Sequence, residues 1–300
     1  MFGGRFGVDV QVSNRSVLSV SQGVRFHDMS GRERQAFENR TATGQVSSYG
    51  TQVNDSESDT RSLTSQLAFR HKGPKEGKEW SVDLTYNRWD RDSDSRFDLR
   101  RFIADGGPDT TTPRIQDNLG GSYYDQWSFQ FDMADPLSER SKLEYGVKSN
   151  LKWDRTWLDV LLTTPQAPMG ELDSALTNDY RITDLINAAY VNWTRTLTER
   201  WSLQAGLRFE QTWFETELIG KDQVFSYKYP DGGQDLLKAL FPAVYLVHRW
   251  PGTLRELQVN FSRKISRPNF FQMMPFIMFS DSRNIRVGNP ALAPEFISLA

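Results

Sequence analysis

A chain of 300 residues with a net charge of −2 and no cysteine excludes a disulfide framework and a thiolate metal site, and no basic cluster points to nucleic acid. Mean hydropathy is negative, and no run of roughly 18 apolar residues exists that could span a bilayer as a helix. A membrane strand needs only about 9–11 residues with alternate ones apolar, so this polarity excludes membrane helices and leaves membrane strands open.

The opening Met1-Phe2-Gly3-Gly4-Arg5-Phe6-Gly7-Val8 holds no charged stretch followed by an apolar one, and it enters a strand pattern at once. The chain therefore reads as an internal piece of an exported protein, forming one partial domain over 1–300. Period-2 alternation then recurs along the chain. Phe6, Val8, Val10 and Val12 form the first run, and Leu18, Val20, Val24 and Phe26 the second. A polar stretch over 27–60 precedes Leu63, Leu67 and Phe69, and the turn His71–Lys78 leads into Trp80, Val82, Leu84 and Tyr86. A second polar stretch, 90–121, precedes Tyr123, Trp127, Phe129, Phe131 and Met133. Asp135-Pro136 is read as the turn into Leu143, Tyr145, Val147, Leu151 and Trp153.

A third polar stretch, 154–183, is followed by a strand over 184–194 whose facing is ambiguous, because both parities are partly apolar. Leu197–Arg200 turns into the clearest run, Trp201, Leu203, Ala205, Leu207 and Phe209. A fourth stretch, 214–236, precedes Phe241–Arg249, and Trp250-Pro251-Gly252-Thr253 turns into Leu257, Val259, Phe261 and Ile265.

The pattern predicts about ten to twelve strands, short turns on one side and loops on the order of 25–35 residues on the other. That asymmetry is what an antiparallel up-and-down transmembrane β-barrel shows, here an incomplete one. Trp201 and Trp213 share the parity of the apolar residues between them, and twelve residues tilted about 40° span roughly 30 Å, enough for an apolar band between aromatic girdles. Tyr145 and Trp157 repeat that spacing. A β-sandwich strand with one solvated face explains the alternation equally well, but not strands this long with Trp at both ends.

Gln204, Arg208 and Glu210 fall on the opposite, polar parity and are expected to face an interior. There the charged pair either contacts a plug, lines a permeation path, or simply keeps the interior solvated. Asp90-Arg91-Asp92-Ser93-Asp94 opens like a calcium-binding loop, but Ser95 and Arg101 stand where an EF-hand needs Gly and Glu. His27, His71 and His248 have no metal-ligand spacing, and none of the common nucleophile, phosphate-loop, zinc-protease or dinucleotide motifs appears. The expectation is a protein that is not an enzyme and carries no cofactor.

Two segments carry a resemblance. Phe261-Ser262-Arg263-Lys264-Ile265-Ser266-Arg267-Pro268, then Met274-Pro275-Phe276, then Gly288-Asn289-Pro290-Ala291-Leu292-Ala293-Pro294-Glu295 resembles a signature of TonB-dependent outer-membrane receptors, especially the outer membrane protein β-barrel family. Gly206-Leu207-Arg208-Phe209-Glu210 and Ala188-Ala189-Tyr190 are similar to two strand motifs of the same family. Physically, Pro268 and Pro275 mark the end of strand pairing and Gly288-Asn289-Pro290 a turn. Arg267, Pro294 and Glu295 belong with them at a barrel rim rather than against a substrate.

The resemblance implies a barrel of about twenty-two strands around a plug, of which this chain supplies roughly half. It implies a Gram-negative outer-membrane location among lipid. It also implies import of a scarce or bulky siderophore, vitamin or glycan, driven by TonB, ExbB and ExbD through a plug that this chain lacks. Without the plug and the closing strands the chain is expected neither to close nor to transport. In the polar stretches Phe97, Phe102, Trp157, Phe225 and Tyr227 are candidates to stack on a small-molecule or glycan ligand, or else to pack the loops on themselves. A passive porin-like barrel and a soluble β-sandwich glycan-binding module are the rival readings.

Overall fold

The computed structural model describes residues 1–109, 115–273, 277–279, 285–289 and 292–300. Its strands in chain order are β1 (Phe2–Ser13), β2 (Ser16–Arg40), β3 (Val46–Lys72), β4 (Glu79–Ile103), β5 (Ile115–Ser138), β6 (Ser141–Thr163) and β7 (Glu171–Leu172). They continue with β8 (Asn178–Thr196), β9 (Trp201–Leu218), β10 (Gln223–Tyr229), β11 (Leu240–Arg249), β12 (Glu256–Ser266), β13 (Ile277–Phe279), β14 (Ile285–Val287) and β15 (Glu295–Leu299). A short helix, α1 (Phe270–Met273), follows β12. Thirteen strands form one antiparallel sheet, each of the long ones pairing with its neighbour in sequence, from β1 at one end to β15 at the other. The sheet is not closed. β13 and β14 make a separate hairpin.

β10 and β11 occupy one place in the sheet. β10 pairs with the upper half of β9, from Leu218 to Thr212, and β11 pairs with the lower half, from Phe209 to Trp201. The chain leaves the sheet between them, over 230–239, and rejoins it where the Glu210 amide donates to the Ala239 carbonyl at 3.1 Å.

The four long polar stretches are corrected by the structure. They are mostly strand: β2 and β3 pair without a break from Ser16↔His71 to Asn39↔Ser48, and β4 and β5 pair as far as Asp98↔Ile115. Among the described residues of these stretches, 41–45, 104–109, 164–170, 173–177, 219–222 and 230–236 lie outside the strands. The physical reason is that alternation reports a strand with one apolar surrounding. Where both faces meet water or polar groups, the backbone ladder continues while the side chains lose their period. A strand of 25 residues such as β2 extends roughly 80 Å, well beyond what a bilayer requires. Asp90–Ser95 lies inside β4, not in a loop. The turn expected at Asp135-Pro136 instead falls at Glu139-Arg140, because pairing persists through Asp135↔Leu143 and Pro136↔Lys142. In the turn after β11, Gly252 has φ 69°, a backbone region that glycine adopts without strain.

The two faces of the sheet differ. On β9 the even-numbered side chains are covered: Glu210, Thr212, Phe214, Thr216 and Leu218 are all buried. On the other face Trp201, Leu207 and Trp213 are 38%, 42% and 37% exposed. Register carries this division across the sheet. Val191 of β8, Tyr145 and Val147 of β6, Phe129 and Trp127 of β5 and Leu67 of β3 share the bare face with Leu207 and are likewise exposed. The strand of ambiguous facing is thereby settled. Ala188 and Tyr190 of β8 lie on the covered face and Val191 on the bare one.

Gly146 marks how tightly the covered face is packed. A Cβ there would stand 2.4 Å from the Phe131 carbonyl and 2.8 Å from both Asp132 Oδ1 and the Tyr190 hydroxyl, which donates to Asp132. Gly146→Ala is expected to cost about 1–3 kcal/mol, as overpacking against backbone does, read as a lower denaturant midpoint of the intact protein in lipid.

Candidate functional site

The covered face is built from three adjoining parts. The first is an ionic network. Arg208 and Glu210 are two apart on β9, so both project to the same side, and Arg208 Nε donates to Glu210 Oε1 at 2.5 Å. Arg267, just past the end of β12, folds back over β9. Its Nη2 donates to the other Glu210 oxygen and, at 2.9 Å, to Thr212 Oγ1, which also accepts from Nε at 3.1 Å. Glu210 thus accepts from two guanidinium groups while its side chain is 9% exposed. Gln204 lies further along the same face, between Thr194 of β8 and Tyr245 of β11.

The second part is apolar. Tyr180 and Ile182 of β8, Phe214 and Leu218 of β9 and Met273 of α1 form a buried cluster, with Phe225 and Tyr227 of β10 packed against it. Tyr227 stacks on Phe214 at 5.2 Å. These two candidate ligand contacts therefore lie on a strand, within side-chain packing.

The third part is a recess of about 610 Å³ running across β4, β5, β6 and β8, which sequence reasoning did not find. Trp89 and Tyr124 stack at 5.7 Å within it, and Lys152 Nζ stands 4.8 Å from the Tyr124 ring while pairing with Asp154 at 2.9 Å. Leu158, Val160, Tyr180 and Ile182 supply apolar lining. Burial pushes the Tyr180 phenol well above its usual range, so it stays neutral.

The other expected ligand contacts stand apart from this recess or only edge it. Phe97 is half-buried in β4 opposite Gln116. Phe102, also in β4, stacks on Tyr49 at 5.5 Å near the hairpin tips. Trp157 lies on the bare face of β6 over Gly121, with the Arg155 guanidinium 6.0 Å from its ring, and edges the recess. Of the motif residues, Pro268 follows directly on Arg267. The Asn289 amide, after Gly288, donates to the Gln272 carbonyl of α1 at 2.7 Å, and Glu295, after Pro294, begins β15 opposite Ser266. Pro275 and Pro290 lie outside the described residues. Among the described residues no group of three or more His, Asp or Glu could hold a metal ion.

The bare face has its own vertical order. On β4 the apolar Trp80, Val82, Leu84 and Tyr86 give way to Arg88, whose guanidinium pairs with Asp90 at 3.0 Å. On β6, Trp153 is followed by Arg155, paired with Asp179 at 2.8 Å, and on β9 Trp213 is followed by Glu215 and Glu217, the latter paired with Arg181 at 3.4 Å. The apolar band of β6 accordingly runs from Tyr145 to Trp153 and stops short of Trp157, because a paired guanidinium on the same face precedes that ring. At the opposite edge Trp201 packs on His248 at 4.4 Å, and His248 on Trp250 at 4.5 Å.

An antiparallel sheet with an exposed apolar band, charged beyond one edge, and with an ionic network beside a small apolar cluster on its other face, defines an outer-membrane β-barrel protein and not a sandwich of two packed sheets. A model of the outer membrane protein beta-barrel family matches residues 71–300, and the chain belongs to that family. Its place is the outer membrane, in contact with lipid. Among curated proteins none matches. Two solved structures are similar at 11% identity: the ferric yersiniabactin uptake receptor FyuA from Yersinia pestis, TM-score 0.38, and the ferric citrate transporter FecA in the unliganded form, TM-score 0.36. Each match covers 88% of this chain but only 45% and 44% of the other, so the chain spans less than half their length.

Proposed function

We propose that this chain is part of a TonB-dependent outer-membrane receptor that imports a scarce or bulky substrate, a siderophore, vitamin or glycan, with energy from TonB, ExbB and ExbD. The observation that carries this reading is the occupied covered face. The segment after β12 folds back across β9, pins Arg267 to Glu210 and Thr212, and buries Met273 against Tyr180 and Phe214. A passive pore needs an open, watery lumen. A stretch of that face covered by the returning chain, with a recess beside it, suits capture followed by a driven rearrangement. Arg208, Gln204 and Glu210 then contact the plug or line the path it opens, and the protein binds and moves its substrate without making or breaking covalent bonds.

The test is uptake in the parent bacterium. Labelled ferric siderophores, cobalamin and oligosaccharides are offered to cells with the reading frame intact or disrupted, with and without a protonophore. Uptake of one class is expected to disappear on disruption and to collapse with the proton gradient. Uptake that depends on the protein but ignores the protonophore would make it a passive porin and overturn the proposal.

A further inference from the structure

We infer that the recess across β4, β5, β6 and β8 binds an uncharged oligosaccharide, with the Trp89–Tyr124 pair as its stacking platform. This rests on the import reading above and names the substrate class within it.

The argument begins with position. Trp89 and Tyr124 alternate along their strands with Arg88 and Asp125, whose side chains share the bare face and pair at 3.7 Å. The recess therefore lies just beyond the apolar band, at the level where that face has become charged, and a ligand arriving from outside the cell meets it before the membrane interior. Its size falls within the range of about 300–1,000 Å³ usual for small-molecule sites. Gly120 keeps it open: a Cβ there would stand 2.8 Å from the Trp157 carbonyl and 3.2 Å from Leu158 Cδ1.

Its chemistry then selects the ligand. Both platform rings are only half-buried, leaving apolar surface for the C–H face of a sugar ring. Ser93, Ser95, Gln116, Asn118, Thr156 and Asn178 line the recess beyond them with neutral polar groups, the complement of sugar hydroxyls; Gln116 donates to Asn118 and Asn178 to the Leu176 carbonyl, and each amide keeps further donor and acceptor capacity. The lining carries little spare charge. Lys152 pairs with Asp154, and Arg91, whose Nε donates to Ser58 Oγ at 2.8 Å, meets a hydroxyl there rather than a carboxylate, so one guanidinium charge remains. An anionic iron chelate or a phosphate ester would need several such cations. Uncharged, hydroxyl-rich rings do not.

The test uses the intact protein in detergent micelles and titration calorimetry. The probes are hexasaccharides of glucose, xylose and N-acetylglucosamine, set against ferric citrate and a ferric catecholate. One saccharide is expected to bind, with little dependence on salt. Trp89→Ala and Tyr124→Ala should each weaken it about tenfold or more, whereas Trp89→Phe retains most of the affinity and Trp153→Ala, on the lipid side, changes nothing. Heat-modifiable gel mobility confirms folding. If the alanine variants do not fold, Asn118→Leu decides: severalfold weaker binding supports the site, and unchanged binding overturns it. The inference also fails if no saccharide binds up to about 1 mM, or if an iron chelate binds instead and is lost in Lys152→Ala. Retained saccharide binding without proton-driven uptake would sink the transport reading alone. Energised uptake of an anionic chelate without saccharide binding would sink this one alone.

Discussion

Replacing Glu210 with alanine is expected to destabilise the protein by about 3–5 kcal/mol, the cost of breaking a buried ion pair by removing one partner. Glu210 receives Arg208 on one oxygen and Arg267 on the other, whereas Asp184 of β8 acts on Arg267 only through space. Without Glu210 two guanidinium groups face each other, and Arg267 keeps its hydrogen bonds to Thr212. Removing either arginine singly should cost less, since the carboxylate keeps the other. Arg267→Ala carries a second consequence: the segment leading to Met273 loses its anchor to β9. Denaturant unfolding of the intact protein in lipid vesicles measures all three, and a double-mutant cycle between positions 210 and 267 isolates their coupling. A cost for Glu210→Ala below about 1 kcal/mol would mean that the network is solvated and worth no more than a surface pair.

Leu207→Arg is the second large effect, about 2–4 kcal/mol for an arginine near the bilayer midplane on the lipid side of a barrel. Leu207 sits midway between Trp201 and Trp213 on the bare face and is 42% exposed. The comparison is Glu215→Arg, on the same face of the same strand but past Trp213, among Arg181 and Glu217. There the change should stay within about 0.5 kcal/mol, as surface substitutions do. The same reversible unfolding in vesicles reads both. Equal costs at 207 and 215 would deny that Trp213 marks the edge of the lipid, and a negligible cost at 207 would deny that this face meets lipid at all.

Much of the membrane-facing pattern was legible from residue order. Trp201, Leu203, Ala205, Leu207 and Phe209 alternate with polar neighbours because one side of β9 meets an apolar medium and the other does not, and that contrast is a property of sequence. The family motifs were legible for the same local reason. Proline and glycine punctuate the chain wherever they stand, and β12 does end at Ser266, just before Pro268. Where the contrast vanishes, the signal vanishes too. Residues 27–40 and 46–60 continue as strand, held by backbone pairing and by contacts such as Arg32 with Asp55 at 3.3 Å, yet composition alone makes them look like loop. Pro136 misplaced a turn by four residues because its missing donor falls at the irregular end of the ladder, where little is lost.

By itself, then, the order of residues determined that this is an antiparallel membrane sheet, which parity meets lipid on its clearest strands, and which family it belongs to, since each depends on neighbours along the chain. Only the tertiary structure decided that Arg267 reaches Glu210 across 57 positions, that Phe225 and Tyr227 pack inward while Phe102 does not, and that Trp89, Tyr124, Lys152 and Tyr180 border one recess. These follow from strand register and from the return of the chain after β12, which set distances between residues far apart in sequence and leave no periodic mark on it.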